Sequence, residues 1–257
     1  MTVDWHPELV SDELVALTRS LGDPAKDLVI LAEGNTSQRL ADGRIAVKTS
    51  GSNMASSTKE AFVVVDIEPL AELIRAAAAT QADLTRLLDA GEHGGLRRRG
   101  SIETLIHVAV QSIQPTAFVA HTHPTAVVSL LASVHAATAF EEPVYSDEAI
   151  VLGRPLFIPY AEPGISLGRL FFGRLRDYFD GNGNLPSLVL LGNHGIVAIA
   201  SNAASAEAIS LMAVKGSRVR LNAYAAGGVA GLGSDTVARY SNRSDFAERR
   251  RQLAGTN

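Results

Sequence analysis

The stretch SIETLIHVAVQSIQPTAFVAHTHP, Ser101 to Pro124, switches its hydrophobic period midway. Ile102, Leu105, Ile106, Ala109 and Ile113 fall on one stripe at helical spacing, and Pro115 closes the run. This predicts a helix that opens at Ser101 and carries Glu103 in its first turn. Ala117 to Ala120 is then a short apolar strand running into His121-Thr122-His123. Pro124 to Val134 predicts the next helix. Helix feeding strand and strand feeding helix make this a mixed α/β chain.

Upstream, Asn35 to Leu40 and Ile45 to Lys48 read as a hairpin whose turn holds Asp42-Gly43. Ala61 to Ile67 reads as another strand. Ser11 caps a helix carrying Leu14, Leu17 and Leu21. Further helices are expected over Ala25 to Ala32, Ala71 to Ala79 and Leu84 to Leu88. The glycine-rich run from Gly91 to Gly100, with Arg97-Arg98-Arg99, predicts a loop. Downstream, Leu156 to Pro159, Leu188 to Leu191 and Ile196 to Ala200 suit inner strands. Ile165 to Phe179 and Ala203 to Ala225 read as helices. Residues 1–228 are expected to form a single domain. The polar tail from 229 to 257 is expected to hold a basic helix over Phe246 to Leu253 and a loose extreme end. The elements add up to helices over a largely antiparallel sheet.

Composition narrows the function. A chain of 257 residues, 46% hydrophobic, buries a sizeable core without staples. The absence of cysteine excludes disulfides, thiolate metal sites and cysteine nucleophiles. Net charge is −4, which argues against nucleic acid as a partner. No stretch reaches the ~18 uninterrupted apolar residues of a membrane span. Met1 to Trp5 carries Asp4 and no basic cluster, so it does not read as a signal peptide. A cytoplasmic protein with no membrane partner is the expectation.

On a strand, residues i and i+2 share a face, so His121 and His123 can converge on one ion while Thr122 points away. The alternative is one core histidine and one surface histidine. His194, in the glycine-flanked turn Gly192-Asn193-His194-Gly195, is the candidate third ligand; the alternative there is simple turn punctuation. Three imidazoles and an open position are the layout of a catalytic zinc site. Glu103 is the acid/base candidate, against the alternative of a carboxylate favoured by the helix dipole. His107 lies one turn later and could hold Glu103 or pack near it. His107 and His135 are less well placed as a fourth ligand. Gly34-Asn35-Thr36-Ser37, Thr49-Ser50-Gly51-Ser52 and the helix start at Ser101 are candidate anion sites.

Five segments in order resemble the class II aldolase/adducin-head family: Glu33-Gly34-Asn35-Thr36-Ser37, Lys48-Thr49-Ser50-Gly51, Ser101-Ile102-Glu103, His121-Thr122-His123-Pro124 and Asn193-His194-Gly195. The family includes L-fuculose-phosphate and L-rhamnulose-phosphate aldolases and L-ribulose-5-phosphate 4-epimerase. The resemblance covers roughly Leu9 to Gly227. It implies an α/β fold, a three-layer α/β/α sandwich around a mainly antiparallel central sheet. It implies a homotetramer with active sites at subunit interfaces. His121, His123 and His194 would bind a divalent metal ion, zinc foremost, with manganese and cobalt as alternatives. Glu103 would be the catalytic acid/base, and Asn35, Ser50, Gly51 and Ser101 would line a substrate phosphate pocket.

Two departures stand out. The family often has two serines before the glutamate, and here the second position is Ile102, without a hydroxyl. The stretch from Ala136 to Gly164 is longer than in the fuculose-type aldolase. A proton-donating tyrosine is expected from about there, with Tyr145 and Tyr160 as the candidates. The resulting expectation is a metal-dependent lyase that cleaves a C–C bond in a small hydroxy-carbonyl compound, a sugar phosphate or keto-sugar, through a metal-stabilised enediolate. Decarboxylation, dehydration or epimerisation would reuse the same ion. A non-catalytic adducin-like assembly module is the remaining alternative, and the retained histidines argue against it.

Overall fold

Alternation along the strands decides the architecture. In the strand around Val119, Phe118 and Ala120 join one apolar cluster while Val119 joins the other, and Val189, Val197 and Ile199 oppose Leu188, Leu190, Ala198 and Ala200 in the same way. A sheet apolar on both faces needs a helical layer on each side. A computed structural model describes residues 2–253.

The strands are β1 (Val3–Asp4), β2 (Asn35–Arg39), β3 (Ile45–Lys48), β4 (Phe62–Val65), β5 (Asp89–His93), β6 (Leu96–Arg99), β7 (Phe118–Thr122), β8 (Leu156–Ile158), β9 (Leu188–Leu191) and β10 (Gly195–Ala200). The helices are α1 (Asp12–Leu21), α2 (Ile67–Arg75), α3 (Gln81–Leu87), α4 (Thr104–Ile113), α5 (Thr125–Leu131), α6 (Ser146–Leu152), α7 (Ile165–Asn182), α8 (Ala203–Ala225), α9 (Ser234–Ser241) and α10 (Phe246–Leu253). Eight strands form one sheet in the order β1-β4-β3-β2-β7-β10-β9-β8, and β5 pairs with β6 alone. Every pairing in the large sheet is antiparallel except β8 with β9. Helices α1, α5, α6 and α8 cover one face; α2, α3, α4 and α7 cover the other. The fold is a three-layer α/β/α sandwich.

Several elements differ from the sequence reading, each for a physical reason. Gly91 to Gly100 is not a loop: β5 and β6 form a hairpin turned by Gly94 and Gly95, both at positive φ. Its strands are largely solvent-facing, so no apolar alternation betrays them. Helix α4 starts at Thr104, with Glu103 at its cap position and Ser101-Ile102 in the preceding turn. Ile102 is therefore off the buried stripe and exposed. The segment 25–32 forms only a single 3-10 turn over Pro24–Lys26, ended by Asp27 in the left-handed region. Helix α2 begins at Ile67, directly after β4, and ends at Arg75. Helices α6 and α9 and the short edge strand β1 were not anticipated. Helices α8 and α10 run over the expected residues. The extreme end, residues 254–257, lies outside the described residues.

Candidate metal centre

One end of the sheet gathers the chemistry. β7 ends there, β2 and β10 begin there, and the register sets Asn35 opposite His121. His121 lies on the face shared by Val119, towards α4. His123 follows as the chain leaves the sheet, and its N–H donates to the Leu28 carbonyl at 2.9 Å. His194 sits in the β9–β10 turn behind Asn193, which takes a positive φ. Gly195 must be glycine, because a Cβ there would collide with the Thr122 carbonyl oxygen and stand 2.8 Å from His123 Cδ2. Absence of a side chain lets the turn close onto His123.

Three imidazoles and one carboxylate converge. The Nε2 atoms of His121 and His123 are 2.9 Å apart. Glu103 Oε1 is 2.8 Å from His194 Nε2, and its Oε2 is 3.4 Å from His121 Nε2. One ligand atom from each of the four lies within 4.8 Å of all the others. His121 Nδ1 donates to the Ile196 carbonyl at 2.8 Å, which fixes its tautomer and leaves the Nε2 lone pair facing the cluster. Nitrogen and oxygen donors without thiolate suit a divalent ion, and the residues present fit one.

Burial lowers the His121 pKa, but the Glu103 charge outweighs burial and raises it above its ordinary value, so an ion binding at its Nε2 takes the place of a proton. Burial pushes the Glu103 carboxyl up, but the His121 and His194 imidazoles beside it outweigh burial and hold it well below the usual carboxylate range. Burial pushes His123 down to about 3, reinforced by His121 and His194, so its ring is neutral and can ligate.

The other expected residues fall into two groups. Asn35 donates from Nδ2 to Glu103 Oε2 at 2.9 Å and to Ser101 Oγ at 3.4 Å. The Ser50 N–H donates to the Arg99 carbonyl, and Thr49 bridges Gly100, so Ser50 and Gly51 lie beside the segment that leads into Ser101. Gly51 takes a positive φ with open space where a Cβ would stand. Tyr145 is not brought to the cluster within this chain: its hydroxyl meets Met212 Sδ at 2.8 Å, on α8. Tyr160 is exposed; its backbone lies by the β9–β10 turn, 3.2 Å from where a Cβ on Gly192 would stand. His135 stacks on Tyr224, and His107 bonds Asn35 and Ser37 rather than Glu103.

Residues that sequence reasoning left without a role also line the site. A groove of about 320 Å³ opens beside His123 and His194, between Val29, Ile30, Val128 and Ala132, with Asp27 and Glu33 on its wall. Lys48 is fully buried, and its ammonium has one protein acceptor, the Thr49 carbonyl at 3.1 Å. The signal for Lys48 was a lysine closing an otherwise apolar strand. Glu33 opens one of the family-like segments but had no role assigned, and Asp27 had no signal, because it falls in a stretch read as helix.

Similar proteins share this architecture. A class II aldolase domain from Thermoplasma acidophilum superposes with a TM-score of 0.61 at 24% identity, over 82% of this chain and 92% of that one. YgbL from Escherichia coli, named for three candidate activities (aldolase, epimerase and decarboxylase), gives 0.65 at 16% identity, over 89% and 96%. The L-fuculose 1-phosphate aldolase of Glaciozyma antarctica PI12 gives 0.63 at 18% identity, over 95% and 82%. No protein with a curated description matches the chain. The class II aldolase and adducin N-terminal domain profile matches residues 12–220. With that match spanning most of its length, the chain belongs to the class II aldolase and adducin N-terminal domain family.

Proposed function

We propose that this protein is a metal-dependent aldolase that cleaves a C–C bond in a small phosphorylated hydroxy-ketone. The observation that carries the reading is the convergence of His121, His123 and His194 Nε2 on the Glu103 carboxylate. Zinc is the ion of first choice, with manganese and cobalt as alternatives. When bound, the ion supplies a Lewis acid that polarises a carbonyl and holds negative charge on neighbouring oxygens. With Glu103 kept for proton transfer, the three imidazoles leave a fourth position for substrate, and the metal-ligating cluster among the described residues holds no other His, Asp or Glu.

The chain's own residues divide the remaining work. The Ser101 and Ser50 hydroxyls and the Gly51 N–H offer donors to the anionic end, while Asn35 Nδ2 is held by Glu103 and Ser101. Cleavage breaks the bond between the carbonyl-bearing fragment and the carbon carrying the far hydroxyl. Glu103, ionised at rest, takes up the far hydroxyl proton through water, the far fragment leaves as an aldehyde, and Glu103 returns that proton to the carbon that keeps the electron pair. The groove beside His123 carries Asp27 and Glu33 and no lysine or arginine. A neutral aldehyde fits that wall better than a carboxylate, which favours aldol cleavage over loss of CO₂.

Exposed Ile30, Leu31, Ile102 and Tyr160 at this end of the sheet support subunits meeting around the site, as in a homotetramer. Residues 1–228 would be the catalytic unit and 229–257 an appended tail. The absence of cysteine fits a cytoplasmic enzyme. The test is metal loading followed by a panel of ketose phosphates, keto-sugars and β-keto acids. Aldehyde release, lowered about 10²–10⁴-fold by Glu103→Gln, supports the reading. CO₂ without aldehyde would replace it with a decarboxylase, and failure to bind any divalent ion would sink it.

A further inference from the structure

We propose that Ser37, His107 and Asn35 form a fixed-polarity brace that positions Glu103 for proton transfer. The inference rests on Glu103 being the acid/base. All three side chains are buried, Asn35 and Ser37 on β2 and His107 on α4, one turn beyond Glu103.

The polarity follows from which atoms can donate. An ionised carboxylate only accepts, so Asn35 must turn Nδ2 towards Glu103 Oε2, at 2.9 Å. Its Oδ1 then faces His107 Nε2 at 2.5 Å, and that nitrogen must carry the ring proton. His107 Nδ1 is left with a lone pair and takes the Ser37 hydroxyl hydrogen at 2.7 Å. Burial holds the ring neutral, with its pKa pushed down to about 3, so the chain of bonds does not reverse.

The consequence lies at Glu103. With Oε2 held by Asn35, Oε1 is the oxygen that faces His194. Without His107 the Asn35 Oδ1 loses its donor, and an amide rotated to find another would set Oδ1 against the Glu103 carboxylate. Sheet and helix therefore cooperate: the register that sets Asn35 opposite His121 also delivers the amide to the acid/base. His107 and Ser37 are positioning residues that act through Asn35.

Two measurements test the brace. Nitrogen-15 NMR of the intact protein should find the His107 proton on Nε2, without titration, from about pH 5 to 9. A proton on Nδ1, or a titrating ring, overturns the proposal whatever the activity is. Steady-state kinetics of metal-loaded variants form the second arm. His107→Leu should lower kcat about 10²-fold with little change in KM, the scale of a misplaced catalytic group. His107→Gln, which keeps one donor and one acceptor, should recover most of that loss, with Ser37→Ala in between. An unchanged kcat in His107→Leu, or a Gln variant as poor as Leu, overturns the brace. Absence of activity in the wild type would instead count against the aldolase reading and leave the NMR arm to decide this one.

Discussion

His121 Nδ1 donates to the carbonyl oxygen of Ile196 across the β7–β10 ladder, at 2.8 Å. This bond turns a strand histidine into a ligand, because it spends the ring proton on the backbone and leaves Nε2 free.

Metal binding should depend on that ring. The wild type is expected to retain about one divalent ion per chain, and the double variant His121→Ala/His123→Ala to lose it. Affinity should weaken as pH falls through the His121 pKa, where burial is outweighed by the Glu103 charge that raises it above its ordinary value, because a proton then competes for Nε2. Elemental analysis and a pH series of metal titrations check both statements.

Acid should destabilise the fold through His107. Its folded pKa is pushed down to about 3 by burial, below the value near 6.5 of an unfolded chain. The unfolded state then binds more protons between those values, so stability is full above pH 6.5 and is lost as pH falls towards 3. The loss is on the order of 4 kcal/mol. Urea unfolding of wild type against His107→Phe should show a shallower acid slope in the variant.

The buried Arg220–Glu148 pair should be a stability determinant remote from the site. Arg220 also donates to the Ala139, Glu142 and Gly216 carbonyls and lies 4.1 Å from the Phe140 ring centroid. It thereby ties the long 136–164 stretch to α8. Arg220→Met leaves Glu148 unpaired and should cost about 3–5 kcal/mol. Gly216→Ala should also destabilise, because its Cβ would collide with a Glu148 oxygen that Arg220 holds in place. Thermal unfolding of both variants, with metal content unchanged, checks the prediction.

Lys48→Met should raise stability by about 1–4 kcal/mol at neutral pH while impairing turnover, since the ammonium is buried with one acceptor. Burial pushes its pKa down to about 8, against the Glu103 charge that raises it. Above that pH the folded chain sheds the proton before the unfolded chain does. The variant's advantage should therefore narrow as pH rises from 8 towards 10.5. Urea midpoints across that range measure it.

Legibility in the sequence followed burial. Helix α1 could be read because apolar spacing and its capping residue Ser11 mark it, and α8 because Gly227-Gly228 close it. The inner strands could be read because both faces are apolar. The β5–β6 hairpin, with solvent on its strands, had no period to read, and α4 was placed too early because Ile102 mimics its stripe. The short loop before Asn35 was read as helix, although Asp27 and Leu31 take positive φ there.

Sequence by itself determined a mixed α/β chain with helices over a largely antiparallel sheet, the three-layer form only through the family resemblance, and His121, His123, His194 and Glu103 as the chemical candidates, because hydrophobic period and short motifs are local properties. Tertiary structure alone decided that these four meet, that Tyr145 is turned away against Met212 of α8, and that His107 bonds Asn35 rather than Glu103. Those relations join side chains across strands and layers. Hydrogen-bond partners such as Asn35 and His107, 72 positions apart, leave no mark in local composition. Only the sheet register and the packing of α4 bring them within reach.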